Sequence, residues 1–282
     1  MVRVLPYGSW ASPITAGSLV AGAVGLAEVV VDGRDIWWAE GRPEEGGRTV
    51  VVRRSPDGTE ADMVPPGVDV RTGVHEYGGG AWWVANGVLI HSDRSHERLV
   101  RRTSDGGPVL LTPEPDAPRA LRYADGRTTP DGRWYVCVRE AHPVDPAGGE
   151  PANELVAVAT DGSMRVDVVA TGADFVAWPR VSPDGTRLAW VRWNHPDLPW
   201  DDTELWVADL VTDAEGCNLS SARCVAAGGE SFFQPEWRSD GVLHVVTDRG
   251  GWWHVHRVDP DTGALEALTG GEAEVATPQW VF

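Results

Sequence analysis

The stretch Val176–Leu210, VAWPRVSPDGTRLAWVRWNHPDLPWDDTELWVADL, decides the fold. It contains an apolar run at residues 176–181, a Ser-Pro-Asp-Gly turn, an alternating run at 188–193 and, after a polar loop, a third run at 204–210. Runs rich in Val, Leu and Trp that are bounded by Pro, Asp and Gly are typical of antiparallel strands. Asp-Gly favours the turn because Gly accepts a positive φ and Asp tolerates the left-handed region. The stretch therefore predicts consecutive antiparallel strands.

The same unit recurs along nearly the whole chain. Its third strand begins at Thr49, Arg98, Asn153, Thr203 and Trp252, which are 49, 55, 50 and 49 residues apart. An Asp-Gly or Asn-Gly pair precedes the second strand of each unit, and a shorter fourth strand ends it. Four strands in about fifty residues is the period of a β-propeller blade, and a β-sandwich would not explain a fixed period. We therefore predict an all-β fold, a β-propeller of four-stranded antiparallel blades.

The repeat also sets the predicted domain boundaries. Residues 1–27 form an N-terminal lead-in, and one β-propeller domain follows without a linker over residues 28–282. Its five blades are predicted at residues 28–66, 75–114, 121–172, 176–229 and 232–271, and the first strand of a sixth blade at 275–282. Because a ring of blades must close or leave two faces exposed, an incomplete sixth blade indicates the front part of a longer polypeptide. The alternative is a five-bladed ring closed by the last strand.

Charge and composition exclude several classes of partner. The formal net charge is −18, and such an acidic surface should repel both nucleic acid and anionic membranes. The apolar run at residues 14–31 contains Glu28. It follows a single early Arg, and Pro13 separates it from that Arg. It favours a short helix or extended lead-in at residues 15–24, with a signal peptide as the alternative. No membrane contact and no nucleic-acid partner are expected.

The three cysteines favour a reducing compartment. Cys137 lies in an apolar strand and is predicted to be a small buried hydrophobic residue. Cys217 and Cys224 are predicted to flank a short loop, where they would pair only in an oxidising compartment. An odd number of cysteines without metal-ligand spacing indicates reduced thiols and a cytoplasmic protein.

Several longer motifs carry a family resemblance. LPYGSWASPITA from Leu5, VHEYGGGAWW from Val74, NELVAV from Asn153, and the stretch from Ser182 to Leu210 resemble the N-terminal propeller of prolyl oligopeptidase family serine peptidases. The dipeptidyl and acylaminoacyl peptidase branch is the most similar, and the resemblance covers essentially all 282 residues. It implies a seven-bladed propeller that caps an α/β-hydrolase domain with a Ser-Asp-His triad and restricts entry to short peptides.

The chain departs from that family in lacking the hydrolase domain. Ser231 has Gly229 two residues before it but Phe233 two residues after it, so it does not lie in a Gly-x-Ser-x-Gly elbow. No catalytic residue can therefore be assigned, and the chain alone is predicted to be inactive. Its expected role is the lid and substrate filter of a serine peptidase, with the missing hydrolase domain and short peptides as partners.

The first candidate site precedes the second blade. His75, Glu76 and Tyr77 stand before three glycines, on what the repeat predicts to be an inner strand, where Gly marks close backbone approach. Propeller carboxylates of the related enzymes hold a peptide's amino terminus, which gives Glu76, or Tyr77 beside it, a contact with substrate or with the hydrolase domain. The alternative is that His75 and Glu76 satisfy backbone groups exposed by the glycines.

The second candidate site is the loop Asn194–Asp202, which contains His195, Trp200 and Asp201. Two prolines stiffen it, and Trp200 is a large apolar group that needs a partner. We predict that this loop packs against another domain or lines the access path. The alternative is that Trp200 covers its own blade.

Other functions have weaker support. His254 and His256 share one face of a strand, but two ligands without a third favour cross-strand packing over a metal site. No cofactor is expected. A stand-alone propeller that binds a peptide or protein partner stays open as the alternative function. A metal-dependent lactonase would need converging ligands, and the inner strands offer only His75, Glu76 and Asp125.

Overall fold

The computed structural model describes residues 4–104, 106–145, 147–213, 216–278 and 282. Its elements are one short α-helix, α1 (Ala16–Val20), one 3-10 helix (Pro43–Glu45) and twenty strands. The strands are β1 (Gly25–Asp32), β2 (Asp35–Arg42), β3 (Arg48–Arg54), β4 (Glu60–Asp62), β5 (Trp82–Ala85), β6 (Val88–Asp93), β7 (Arg98–Thr103), β8 (Gly106–Leu110), β9 (Leu121–Thr128), β10 (Trp134–Ala141), β11 (Ala152–Ala159), β12 (Val166–Ala170), β13 (Phe175–Val181), β14 (Arg187–Trp193), β15 (Glu204–Thr212), β16 (Cys217–Ala226), β17 (Phe232–Trp237), β18 (Leu243–Thr247), β19 (His254–Val258) and β20 (Leu265–Ala267).

These strands form five four-stranded antiparallel sheets in sequence order, which we call blades one to five. The prediction of an all-β propeller with four-stranded blades is thereby confirmed. The chain divides into two compact units, Met1–Val68 with blade one and Asp69–Phe282 with blades two to five, where the sequence predicted one domain. The described part of the chain contains no helix with the length and hydropathy of a membrane span.

The repeated Pro-Asp-Gly turns share one hydrogen-bond pattern. In the turn before β14, the Ser182 hydroxyl and the Thr186 amide both donate to the Asp184 carboxylate, at 2.6 and 3.1 Å. Gly185 has a φ of 75° and donates its amide to the Ser182 carbonyl. The turn before β10 repeats this arrangement around Asp131 and Gly132. The turn residues therefore fix the register of each hairpin.

Apolar side chains on both faces of each inner blade make the core. Val136 and Val138 of β10 pack with Leu188 of β14 in the cluster between blades three and four. Cys137, which alternates with them, packs with Ile90 of β6 in the cluster between blades two and three. Successive side chains of a strand point to opposite faces. These strands are therefore continuous apolar runs in the sequence, because each face of the blade packs against a different neighbouring blade.

Three sequence predictions need correction. Residues 74–77 form a turn, and the inner strand of blade two is β5, so His75, Glu76 and Tyr77 do not lie on an inner strand. Cys217 and Cys224 both lie within β16 rather than at the two ends of a loop, and both are free thiols. The partial sixth blade is not confirmed, because residues 272–278 form no strand and residues 279–281 lie outside the described residues.

Candidate functional site

Three glycines shape the turn that carries His75 and Glu76. A Cβ at Gly78 would lie 2.7 Å from the Thr72 carbonyl oxygen, so only glycine fits. His75 and Glu76 have φ values of 52° and 63°, in the left-handed region that non-glycine residues seldom adopt. Backbone strain of this kind is found where the surrounding structure fixes a residue for function.

His75 is held on both its backbone and its ring. Its amide donates to Glu140 Oε2 at 2.7 Å, and its Nε2 lies 3.1 Å from Asn153 Oδ1. Asn153 Nδ2 donates to the Asp174 carbonyl, so Asn153 Oδ1 is an acceptor and His75 Nε2 must carry the hydrogen. Burial lowers the pKa of His75, although Glu140 and Asn153 act in the opposite direction. His75 is therefore neutral at pH 7, with Nδ1 as its acceptor.

Aromatic rings surround the His75 ring. Its centroid lies 5.4 Å from that of Phe175, 5.8 Å from Trp193 and 5.1 Å from Phe282. Phe175 and Trp193 stack at 5.2 Å with an interplanar angle of 10°. These side chains wall a cavity of about 220 Å³, which we call the aromatic cavity. Its lining is completed by Tyr77, Ala177, Trp178 and residues 195–200.

The loop at residues 194–202 forms the opposite wall. The His195 amide and ring Nδ1 both bond Asp174 Oδ2, at 2.9 and 3.1 Å, and these bonds lower the pKa of Asp174. The buried Ser231 hydroxyl donates to the Pro199 carbonyl. Trp200 is 37% exposed, whereas Trp190 and Trp193 on the strands are 3% and 6% exposed. The loop is thus anchored at both ends while Trp200 stays accessible.

A second, polar cavity of about 270 Å³ adjoins the first and shares His75, Phe175 and His195 with it. We call it the acidic recess, because the carboxylates of Glu76, Glu140, Glu150 and Asp174 line it. Arg122 Nη1 donates to Glu76 Oε1 at 2.8 Å and to Glu140 Oε1 at 3.1 Å. The Arg122 bond lowers the pKa of Glu76. Arg122 pairs with two of these four carboxylates, so the recess keeps an excess of negative charge, which suits an ammonium group.

The same recess contains three groups with metal-ligand chemistry. Ligand atoms of Glu76, Glu140 and His142 lie within 4.8 Å of one another. His142 Nε2 already hydrogen-bonds Glu140, and Arg122 bonds both carboxylates. Through these bonds, Arg122 and the three groups form an ion-pair cluster at one side of the recess.

Five of the six predicted site residues therefore meet in two adjoining cavities. His75, Tyr77, His195 and Trp200 line the aromatic cavity, and Glu76 lines the recess. Asp201 lines neither; its Oδ2 accepts the Leu198 amide at 3.0 Å and so shapes the loop. Sequence reasoning missed the groups that complete the site, which are Arg122, Glu140, Asn153, Phe175 and Trp193. Asn153 begins the NELVAV motif and Trp193 lies in the stretch from Ser182 to Leu210, both of which carry the resemblance; nothing in the sequence singled out Arg122, Glu140 or Phe175.

Solved structures similar to this chain are peptidases. A puromycin-hydrolysing peptidase of Mycobacterium tuberculosis is 38% identical over 99% of this chain, with a TM-score of 0.86. A puromycin hydrolase is 35% identical over the same share, with a TM-score of 0.88. The chain belongs to the prolyl oligopeptidase family. It spans 44% of the length of both proteins and corresponds to their propeller part.

More distant comparisons agree on the fold. A prolyl endopeptidase is 14% identical, with a TM-score of 0.57 over 88% of the chain, and this likeness concerns the fold alone. Residues 129–279 match the model of the lipoprotein LpqB β-propeller domain, so the chain belongs to that propeller family too. No curated protein sequence matches the chain. The family resemblance in the motifs from Leu5, Val74, Asn153 and Ser182 is thus confirmed.

Proposed function

We propose that this chain is the substrate-facing propeller part of a prolyl oligopeptidase family serine peptidase. The aromatic cavity receives the apolar side chain of the substrate's first residue, and the acidic recess receives its free amino group. The observation that supports this most directly is the shared wall of His75 and Phe175 between the two cavities. The triad belongs to an α/β-hydrolase domain that acts as the partner of this propeller.

The chemistry of the two cavities favours an aromatic aminoacyl group as ligand. Stacked aromatic side chains bind another aromatic ring well, and carboxylates bind an ammonium through charge-assisted hydrogen bonds. Puromycin combines both groups, and two relatives are named for its hydrolysis. A cytoplasmic location is part of the proposal and is supported by three free cysteines.

Binding to the purified chain tests this function without any catalytic step. We expect calorimetry to detect puromycin binding and to show that N-acetylpuromycin, which has lost the positive charge, binds roughly tenfold more weakly or worse. Equal affinity for the two compounds would remove the amine-binding role and favour an acylaminoacyl specificity. No binding of either compound would refute the proposed site.

Paired variants locate the binding. Trp200→Ala should weaken puromycin binding by roughly tenfold, whereas Trp252→Ala, which removes an equally exposed Trp outside both cavities, should not. Glu76→Gln should weaken puromycin but leave N-acetylpuromycin unchanged. Glu266→Gln is the matched control, since Glu266 also pairs with an arginine, Arg257, on the surface.

A further inference from the structure

A repeated β-bulge brings charged side chains of three blades together. Asp125 of β9, Trp178 of β13 and Gln234 of β17 stand at bulges with φ values of 52°, 51° and 50°. A bulge redirects the side chains that follow it. The residue two positions later in each strand is Arg127, Arg180 and Glu236, and all three line one cavity of about 260 Å³. We call this cavity the arginine pocket.

The arginine pocket is separate from the proposed substrate site. The strand β13 contributes Phe175, Ala177 and Trp178 to the aromatic cavity and Arg180 and Val181 to the arginine pocket. No lining residue is common to the two cavities. A ligand of the arginine pocket would therefore bind at a site distinct from the aromatic cavity.

Arg180 engages two carboxylates, that of Glu236 in the pocket lining and that of Asp125, which is buried outside the lining. It donates from Nη1 to Asp125 Oδ1 at 2.8 Å and from Nε to Glu236 Oε1 at 2.7 Å. The second oxygen of Asp125 accepts the Trp178 amide at 2.7 Å. Asp125 is buried, whereas the Glu236 side chain is 57% exposed. Glu236 can thus turn into solvent while Asp125 stays with Arg180.

Arg127 pairs with the same two carboxylates at longer distances. Its guanidinium carbon lies over the Trp83 ring, 3.7 Å from the ring centroid, and Nη1 donates to the Gly126 carbonyl. Its closest carboxylate oxygens, on Asp125 and Glu236, are 3.7 and 3.8 Å away, beyond hydrogen-bond length. Burial and the neighbouring Arg180 lower the pKa of Arg127 to about 10. A half-buried guanidinium whose ion pairs lie beyond hydrogen-bond length favours an anion beside it.

We propose that the arginine pocket binds the carboxylate of a small organic acid, with the carboxylate on Arg127 and the apolar body against Trp83, Trp237 and Pro183. The planar guanidinium matches a carboxylate in two parallel hydrogen bonds. The lining holds Arg127, Arg180 and Glu236, and Asp125 adjoins it, so one added negative charge is tolerated once Glu236 turns outward. A doubly charged phosphate would leave a larger excess of negative charge.

Calorimetry of the purified chain with benzoate at about 0.15 M salt tests this, because that ionic strength screens the acidic surface. We expect benzoate to bind and benzamide, its neutral analogue, to bind at least roughly tenfold more weakly. Equal binding of benzamide, preferential binding of inorganic phosphate, or no binding of benzoate would each overturn the proposal.

Two variants with opposite expected effects assign the site. Arg127→Gln should weaken benzoate binding at least roughly tenfold, and Arg133→Gln, the same charge change on an exposed turn, should leave it unchanged. Glu236→Gln removes the competing carboxylate from an exposed position and should strengthen binding several-fold. The Glu236→Gln variant therefore tests the proposal even if Arg127→Gln fails to fold. Unchanged or weaker binding in Glu236→Gln would contradict the assignment.

Discussion

At the scale of single residues, a histidine buried in blade two shows how burial and neighbouring groups set a protonation state. His91 of β6 is fully buried; its Nδ1 donates to the Ser92 carbonyl, and its Nε2 accepts from Arg102 Nε at 3.0 Å. Both ring nitrogens are used by the neutral form. Burial lowers the pKa of His91 to about 4, and the positive charge of Arg102 acts in the same direction.

His91 should make the chain less stable in mild acid. Between about pH 6.5 and 4 the unfolded chain binds a proton at His91 that the folded chain does not, so the free energy of unfolding falls as the pH falls. Above pH 6.5 neither state is protonated and the effect vanishes. Gln keeps a donor and an acceptor but does not titrate. We therefore expect urea unfolding to show that the free energy of unfolding falls between pH 7 and pH 4 in both proteins. The fall should be larger in the wild-type chain than in His91→Gln, by up to about 3 kcal/mol. Equal losses would mean that His91 is protonated in the fold.

At the scale of elements, the repeat predicted far more of the fold than of the site. Local turn chemistry and strand periodicity fix each blade, and both can be read from neighbouring residues. The repeat predicts an inner strand at the glycines at 78–80. Residues 74–77 instead form a turn, in which His75 and Glu76 have left-handed φ values. Site residues such as Glu140 and Phe175 come together only through packing between blades, which a single sequence does not encode locally.

The inner-strand bulges had a sequence signal that was overlooked. In blades two to five, one residue with a positive φ lies six positions before the Asp or Asn of the following turn. These residues are Gly80, Asp125, Trp178 and Gln234. Only Gly80 is a glycine, so the conformation is imposed by its surroundings rather than by residue type. In blade three this position carries Asp125, whose amide donates to the Gly80 carbonyl of blade two at 2.7 Å.

The loop at residues 194–202 depends on one hydroxyl from blade five. Ser231→Ala would leave the buried Pro199 carbonyl without its side-chain donor, which costs about 1–3 kcal/mol. We expect thermal unfolding to show that loss and hydrogen exchange to rise at residues 197–201. Ser220→Ala, on the exposed part of β16, is the control and should change neither. Unchanged exchange in Ser231→Ala would show that the prolines and the bonds of His195 and Asp201 hold the loop without this hydroxyl.

At the scale of the whole molecule, charge is distributed unusually. The chain has 42 acidic residues and 24 basic ones, and every basic residue is an arginine. Arginine pairs with carboxylates through a planar fork, so it suits partly buried pairs such as Arg42–Asp62 in blade one and Arg139–Glu154 in blade three. Because acidic residues outnumber arginines by 18, the chain carries a net negative charge and exposed carboxylates repel one another.

Salt should therefore stabilise this chain. Raising the ionic strength from about 0.01 to 0.15 M shortens the Debye length from about 30 to 8 Å, which screens repulsion between exposed acids more than it weakens close, partly buried pairs. We expect the thermal midpoint to rise by a few degrees. A variant with Glu114→Gln, Asp116→Asn and Glu272→Gln, all at exposed positions, should start with a higher midpoint and respond less to salt. If the midpoint of the wild-type chain instead falls as salt is added, the arginine–carboxylate pairs outweigh the repulsion. The net charge of −18 would then act on the choice of ligands and partners rather than on stability.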